Sequence, residues 1–477
     1  MKFLLYIALV SFVFTQETFT KIPEYTKLTS AYKMFLQANI SEAREGFEKG
    51  ASAADLYNTA YLYFYEGNLV KATEFADKAI KAAKKNDVLL AWSYFLRSNI
   101  AFKEQNESQM ILYLSKALKE EDSFAEFHFF LGDYYVTKQR YEKAMDAYES
   151  GLDIEPDASD YHVKMARMME RKKSVPAALE YLVDKLGELY PTESLCLYLG
   201  NTYRARGNFS EAKYHYKRYL EFHPHGKESS SVKNTLIGLG ETLSGERPAD
   251  DKNTDIYKLR LGEKLEYNVS YLFSLGGMKI TVDKDTVNRF DLKTARVTYA
   301  LKSGAIGLNS IFEVYIDLKT LNSVQSILLK RSDEKIPEIK MYRFNQKTHQ
   351  FSAYVINKWG RVEIVHKQMP IATQDGTGIL YYARGLVANK QSRAVTTVID
   401  EKFKLTDIFY RNYLDSEEAL GKEDDYIYID AKAHYKGVAG MNGDARGWFS
   451  KDGEYTPLVG KMSIIVGSVR VELESRK

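Results

Sequence analysis

Two aspartates are the residues whose type and setting come nearest to chemistry. Asp375 lies in Gln374-Asp375-Gly376-Thr377-Gly378 and Asp452 in Ser450-Lys451-Asp452-Gly453. Two carboxylates meeting in a cleft could divide the acid and base roles of a hydrolysis between them. Each also has a plainer use. Asp375 is placed to cap the helix expected after it, and Asp452-Gly453 reads as a turn. His223-Pro224-His225 is the closest pair among the eight histidines and reads as surface rather than as a metal site. Glu423-Asp424-Asp425 could attract a cation but reads as a solvated loop. One cysteine, Cys196, excludes an intrachain disulfide and a zinc site built from thiolates. No glycine-rich phosphate loop, His-Glu-x-x-His helix or nucleophile elbow occurs, and Gly304-Ala305-Ile306-Gly307 is a turn. The residues imply no cofactor, no metal and no catalytic set, so a non-enzymatic protein is expected. A hydrolase using Asp375 and Asp452 is kept as an alternative.

The elements that would position any site follow from the rest of the chain. At 477 residues two or three domains are expected. The net charge of +3 comes without a basic stripe, only short runs such as Lys84-Lys85 and Arg171-Lys172-Lys173, which argues against a nucleic-acid partner. The 36 Tyr and 24 Phe fit either a contact-making surface or the codon bias of an AT-rich genome. Met1-Lys2 precedes an apolar run from Phe3 to Phe14, the pattern of a secretory signal. It is shorter than the roughly 20 residues a membrane span needs. Cleavage is expected after Thr15 or Gln16, with an uncleaved anchor as the alternative. The mature chain is then exported, to the periplasm or the periplasmic face of the envelope, and no later segment reads as a transmembrane helix.

A repeat dominates residues 24–243. Ala144, Ala178 and Ala212 stand 34 residues apart, as do Gly132, Ala166 and Gly200. Leu131-Gly132-Asp133-Tyr134-Tyr135 with Ala144, Tyr148, Gly151 and Pro156 recurs as Leu199-Gly200-Asn201-Thr202-Tyr203 with Ala212, Tyr216, Tyr219 and Pro224. These positions resemble the tetratricopeptide repeat, with five to six copies and a capping helix over Ser231–Leu243. Small residues let the two helices of a pair cross closely, and pairs stack because none buries its apolar face alone.

That resemblance implies a concave groove lined by the first helix of each pair, open to a protein or peptide partner. In its register the early groove shows Tyr57, Tyr61, Tyr65, Trp92, Phe95 and Phe102, and the later groove Phe129, Asp133, Arg167, Arg171, Asn201 and Arg204. One end is aromatic. The other is polar, with arginines suited to acidic groups. Packing between repeats is the competing use of the aromatics. The carboxylate-clamp members of the family carry a lysine four residues before the groove asparagine. Leu197 stands there before Asn201, so no such clamp is expected.

After a polar linker at 244–255 the period changes to alternation. Leu265, Tyr267, Val269, Tyr271 and Phe273 alternate with polar residues, as do Met278, Ile280 and Val282, and Val469, Val471 and Leu473. Residues 256–477 are expected to hold ten to thirteen antiparallel strands, with one helix near Asp375–Leu386. Gly262-Glu263-Lys264-Leu265-Glu266-Tyr267, Gly276-Gly277, Gln374-Asp375 through Tyr381-Tyr382-Ala383-Arg384, Trp448-Phe449-Ser450-Lys451-Asp452, Pro457-Leu458 and Gly467-Ser468-Val469-Arg470-Val471-Glu472-Leu473 occur in order. The set resembles the exported bacterial family known as domain of unknown function 3108, from about residue 259 to the end. It departs at Gly376-Thr377-Gly378, where the family has proline after the aspartate and then serine. The resemblance implies an envelope location and a curled antiparallel sheet, and no known activity.

The fold class is thus an all-α tetratricopeptide solenoid followed by a mostly antiparallel β domain, curled or barrel-like, with one inserted helix. An outer-membrane barrel is not expected, since the strands lack aromatic girdles. The first functional reading is a cell-envelope scaffold whose groove binds a protein. The alternatives are a carrier holding an envelope lipid or other apolar ligand in the β domain, and the hydrolase.

Overall fold

The computed structural model describes residues 28–85, 87–242, 257–271, 274–303, 308–330, 337–370, 373–411, 426–433, 441–464 and 468–477. The expected signal at 1–16, the linker at 244–255, Glu423-Asp424-Asp425 and Gly304-Ala305-Ile306-Gly307 lie outside these residues.

The first half is a run of helix pairs: α1 (Ser30–Leu36) with α2 (Ile40–Glu48), α3 (Ala53–Tyr65) with α4 (Leu69–Ala82), α5 (Val88–Lys103) with α6 (Glu107–Glu120), α7 (Ala125–Thr137) with α8 (Tyr141–Ile154), α9 (Ser159–Lys172) with α10 (Val175–Lys185), and α11 (Glu193–Ala205) with α12 (Phe209–Phe222). Helix α13 (Ser229–Gly238) follows the last pair. The small residues of the repeat sit where expected. Ala60, Ala72, Ala144, Ala166, Ala178 and Ala212 are fully buried. A Cβ on Gly132 would stand 2.4 Å from the Tyr148 ring, and one on Gly200 2.6 Å from the Tyr216 ring. The recurring Gly–Tyr contact is therefore a helix crossing filled by one ring. Side-chain caps start several helices: Asn68, Asn106 and Asn208 accept the N–H three residues on, which answers otherwise orphaned donors. Val232 and Leu236 of α13 cover Cys196, Ala212, Tyr216 and Tyr219.

The second half holds fifteen strands among the described residues: β1 (Lys264–Ser270), β2 (Ser274–Arg289), β3 (Leu292–Ser303), β4 (Leu308–Asp317), β5 (Ser323–Lys330), β6 (Glu338–Asn345), β7 (Gln350–Ile356), β8 (Val362–Gln368), β9 (Gln374–Asp375), β10 (Arg393–Ile399), β11 (Lys402–Arg411), β12 (Tyr426–Ala433), β13 (Met441–Ser450), β14 (Pro457–Ile464) and β15 (Ser468–Arg476), with helix α14 (Ile379–Ala388) between β9 and β10. They form one sheet in the order β8-β7-β6-β5-β4-β3-β2-β1-β15-β14-β13-β12-β11-β10-β9. The sheet does not close: β8 and β9 are its edges. Strands β1–β4 and β10–β15 pair with their neighbours in antiparallel fashion, and β9 runs parallel to β10. The count exceeds the expected ten to thirteen because strands such as β5 and β6 are buried on both faces. Alternation, the signal by which a strand is read, vanishes there.

The chain packs as two compact units. One comprises residues up to Pro156 with Leu329–Met341 and Ala353–Val365; the other comprises Asp157–Leu328, Tyr342–Ser352 and His366–Lys477. In the second unit the main core lies between α14 and the sheet. Tyr381, Tyr382, Leu386 and Val387 pack on Leu265, Tyr267, Ile280, Val297, Val314 and Phe449.

Candidate functional site

Two of the residues proposed for the early groove, Tyr61 and Trp92, meet a strand of their own chain. Strands β7 and β8 are joined by Asn357-Lys358-Trp359-Gly360-Arg361, and this tip belongs to the same compact unit as helices α1–α8. Asn58 on α3 donates through Nδ2 to the Gly360 carbonyl at 2.8 Å and accepts the Val362 N–H through Oδ1 at 2.9 Å. Tyr32 on α1 donates its hydroxyl to the same carbonyl at 2.8 Å. Tyr61 accepts the Ile364 N–H at 2.9 Å and lies 3.4 Å from the Ile364 carbonyl. Three side chains from the first helices of two pairs thus answer backbone groups of an extended segment. That is how a strand is recognised without regard to its sequence.

Side chains add to this. The Arg361 guanidinium lies 3.7 Å from the centroid of the Trp92 ring on α5 and pairs with Glu363 at 2.7 Å. Cation–π attraction strengthens when both partners leave water, and Arg361 and Trp92 are 8% and 7% exposed. Burial opposes the arginine's charge, but Glu363 and Tyr57 outweigh it and keep the group ionised. Burial likewise pushes the Tyr57 and Tyr61 hydroxyls up, so both stay protonated and able to donate. Trp359 meets Phe124 edge-on at 6.3 Å, and Phe35 meets Tyr354 at 5.8 Å.

The other groove candidates have varied settings. Phe95 packs with Trp92, Phe127 and Phe130. Tyr65 and Phe102 are about half exposed, Phe102 resting on Phe130. Phe129 is buried against Gly151, inside its own helix pair. Asp133 accepts the Tyr148 hydroxyl at 2.6 Å, as Asn201 accepts that of Tyr216 at 2.6 Å. Both polar groups therefore hold the ring that fills the Gly crossing. Arg167 lies over Tyr198, Arg171 is exposed at the end of α9, and Arg204 reaches Thr235 at 3.5 Å. Sequence reading missed Asn58, Tyr32 and Arg361. Asn58 and Tyr61, one helical turn apart on α3, were the available signal.

The two candidate acid–base carboxylates are held by separate sets of partners. Asp375 is buried and accepts from Ser326 Oγ at 2.8 Å and from the Thr377 N–H at 2.8 Å. Neighbouring Gln374 bonds Ser323 and Asn322, so the Gln-Asp pair fastens β9 to the start of β5. Asp375 does not cap the helix: α14 begins after Gly378 with no side-chain cap, because the carboxylate is taken by the turn before it. Asp452 lies in a turn and accepts from Ser450 at 2.6 Å and the Glu454 N–H at 3.0 Å. Burial raises its carboxyl, but those bonds and the Arg476 charge outweigh this and hold it below the ordinary range. His223 is not at the surface: it is buried, with Nε2 2.8 Å from the Pro191 carbonyl, while His225 stacks on His349 at 4.0 Å. Among the described residues no group of three or more His, Cys, Asp or Glu is placed to hold a metal, and no described helix is long and apolar enough to cross a membrane.

A second cluster joins the motifs of the β domain. Arg384 on α14 donates to both oxygens of Glu263, at 2.7 and 3.1 Å, and to the Glu454 carbonyl at 2.8 Å. Tyr381 donates to Glu263 at 3.1 Å.

Residues 125–158 match the tetratricopeptide repeat. Residues 266–474 match the family described as a protein of unknown function (DUF3108). Both resemblances read from the motifs stand, each for its own segment. No curated protein matches the chain. Similar solved structures include the crystal structure of MamA, 19% identical, covering 33% of this chain and 94% of that one at a TM-score of 0.30. They also include MamA of Desulfovibrio magneticus RS-1, at 18%, 33%, 94% and 0.28, and pilF of Pseudomonas aeruginosa, at 14%, 43%, 97% and 0.35.

Proposed function

We propose that this protein is a non-enzymatic scaffold of the bacterial cell envelope, exported by its N-terminal segment, whose tetratricopeptide groove holds an extended polypeptide. The observation that carries this reading is the set of bonds from Tyr32, Asn58 and Tyr61 to the backbone of Gly360, Val362 and Ile364. A groove that bonds main-chain groups of a strand has the chemistry of a peptide site. The apolar run at Phe3–Phe14 supports export. The β domain supports the scaffold reading over a carrier, because aromatic and aliphatic side chains fill the space beneath α14.

Native mass spectrometry of the chain gently purified from an envelope extract tests this. The scaffold reading expects a mature N-terminus near Gln16 or Glu17 and an added mass that is polypeptide. An added mass that organic solvent removes would replace it with the carrier reading, and a full-length N-terminus in the cytoplasmic fraction would remove the envelope.

A further inference from the structure

The groove is not empty: the β7–β8 tip fills it. Asn357 Oδ1 accepts the N–H groups of Trp359 and Arg361 at 3.1 and 3.0 Å, so the tip holds its own shape and loses little freedom on docking. β8 is an edge strand. Asn58 and Tyr61 answer the outward N–H groups of Val362 and Ile364 in place of a neighbouring strand. These bonds serve any extended segment. Selectivity lies in Arg361, stacked on Trp92 and paired with Glu363. Trp92 Nε1 and Arg361 Nε are buried with no hydrogen-bond acceptor among the described residues.

We propose that the β7–β8 tip, residues 357–364, is a built-in competitor for the groove, and that the partner displacing it is an extended polypeptide segment with an arginine beside a carboxylate, as in Gly360-Arg361-Val362-Glu363. This rests on the reading of the groove as a polypeptide site. A tethered occupant acts at high effective concentration, so an outside segment binds only in proportion to the fraction of chains whose tip has left. Loosening the tip without touching the groove therefore raises the apparent affinity for that segment.

The test uses the full chain and a fluorescent peptide of residues 353–366, read by anisotropy, with hydrogen exchange at the Val362 and Ile364 amides. Arg361→Ala removes the anchor from the tethered tip while the peptide keeps it. The variant is expected to exchange both amides faster and to bind the peptide at least tenfold more tightly than the parent chain, and Asn58→Ala added to it should abolish that binding. If Arg361→Ala does not fold, Trp359→Ala, which deletes the contact with Phe124, serves instead. Amides as protected in the variant as in the parent would overturn the proposal, making the tip a fixed part of the fold. Freed amides without peptide binding would overturn it too. Failure of the polypeptide-site reading is a separate result, a native mass with no polypeptide added in parent and variant alike.

Discussion

The guanidinium of Arg384 lies flat along the carboxylate of Glu263, and neither side chain is exposed to solvent at all. The two are 121 residues apart in sequence. Glu263 belongs to the motif that opens the β domain, Arg384 to the helix motif in its middle, and the Glu454 carbonyl that accepts from Arg384 follows the Trp448–Asp452 motif. Segments that looked like scattered signatures converge on one ion pair, with Tyr257 and Tyr381 against the guanidinium at 4.9 and 5.1 Å. A buried pair gains little over an apolar pair, because desolvation offsets attraction, yet losing one partner strands a charge. We expect Arg384→Ala to destabilise the β domain by about 3–5 kcal/mol. The double change Arg384→Met with Glu263→Leu should recover most of that loss. Urea unfolding of both variants against the parent measures it. A double variant as unstable as the single one would mean the charges themselves hold the domain.

Gly132 should resist substitution although alanine is the better helix former. In an open helix the change gains about 1 kcal/mol. Here a Cβ would stand 2.4 Å from a Tyr148 ring that is buried and tied by its hydroxyl to Asp133, so the ring cannot retreat. Overpacking of this kind costs about 1–3 kcal/mol, and Gly132→Ala should lower thermal stability. Gly238, at the end of α13 with nothing within 4 Å of its Cβ position, should respond to the same change with no loss or a small gain. Equal effects at the two sites would refute the crossing argument.

The turn inside each pair supplies a change of opposite sign. Gly67 and Gly207 sit two residues past their helices at φ 83° and 76°, and Ala38, Gln105 and Gln139 occupy the equivalent place at 64°, 57° and 56°. A residue with a Cβ is strained in this left-handed region by roughly 1–2 kcal/mol, partly offset by the greater freedom glycine loses on folding. Ala38→Gly and Gln105→Gly should each stabilise by up to about 1 kcal/mol, and Gly67→Ala should destabilise by a similar amount. Thermal melts of the three variants check the signs together.

Much of this was legible in the sequence. The 34-residue spacing of Ala144, Ala178 and Ala212 marks helix crossings because only small residues fit there, and alternation at Leu265 and Tyr267 marks a strand with one buried face. What could not be read is long-range. Nothing local says that Arg361 will lie on Trp92, far earlier in the chain, or that Asn58 rather than Tyr57 will meet the backbone of Gly360. Asp375 misled because a carboxylate ahead of a helix is also well placed to bond the turn, and it took Thr377 and Ser326 instead. His223 misled because its neighbours Pro224 and Gly226 look like surface while the ring turns inward to Pro191.

His215 gives the chain a pH dependence whose sign is fixed by burial. Its ring stacks on Tyr203 at 5.6 Å and is almost wholly buried. Burial first, and the Arg218 charge second, push its pKa down to about 4. In the unfolded chain a histidine takes its proton near 6.5. Between those values the unfolded state binds more protons than the folded one, so stability rises with pH across this window. Above about pH 6.5 the group is neutral in both states and contributes no slope. Falling from 6.5 to 4, the chain should lose about 3 kcal/mol from this residue, at roughly 1.4 kcal/mol per unit of displacement. His215→Phe keeps a flat ring against Tyr203 and removes the titration. The difference in unfolding free energy between parent and variant, followed by urea titration at pH 7.5, 6, 5 and 4, cancels the other titrating groups. We expect that difference to be constant above pH 6.5 and to move steadily in favour of the variant below it. A difference that stays flat down to pH 4 would mean that the folded chain accommodates the imidazolium, and that His215 is less sealed from water than its burial against Tyr203 implies.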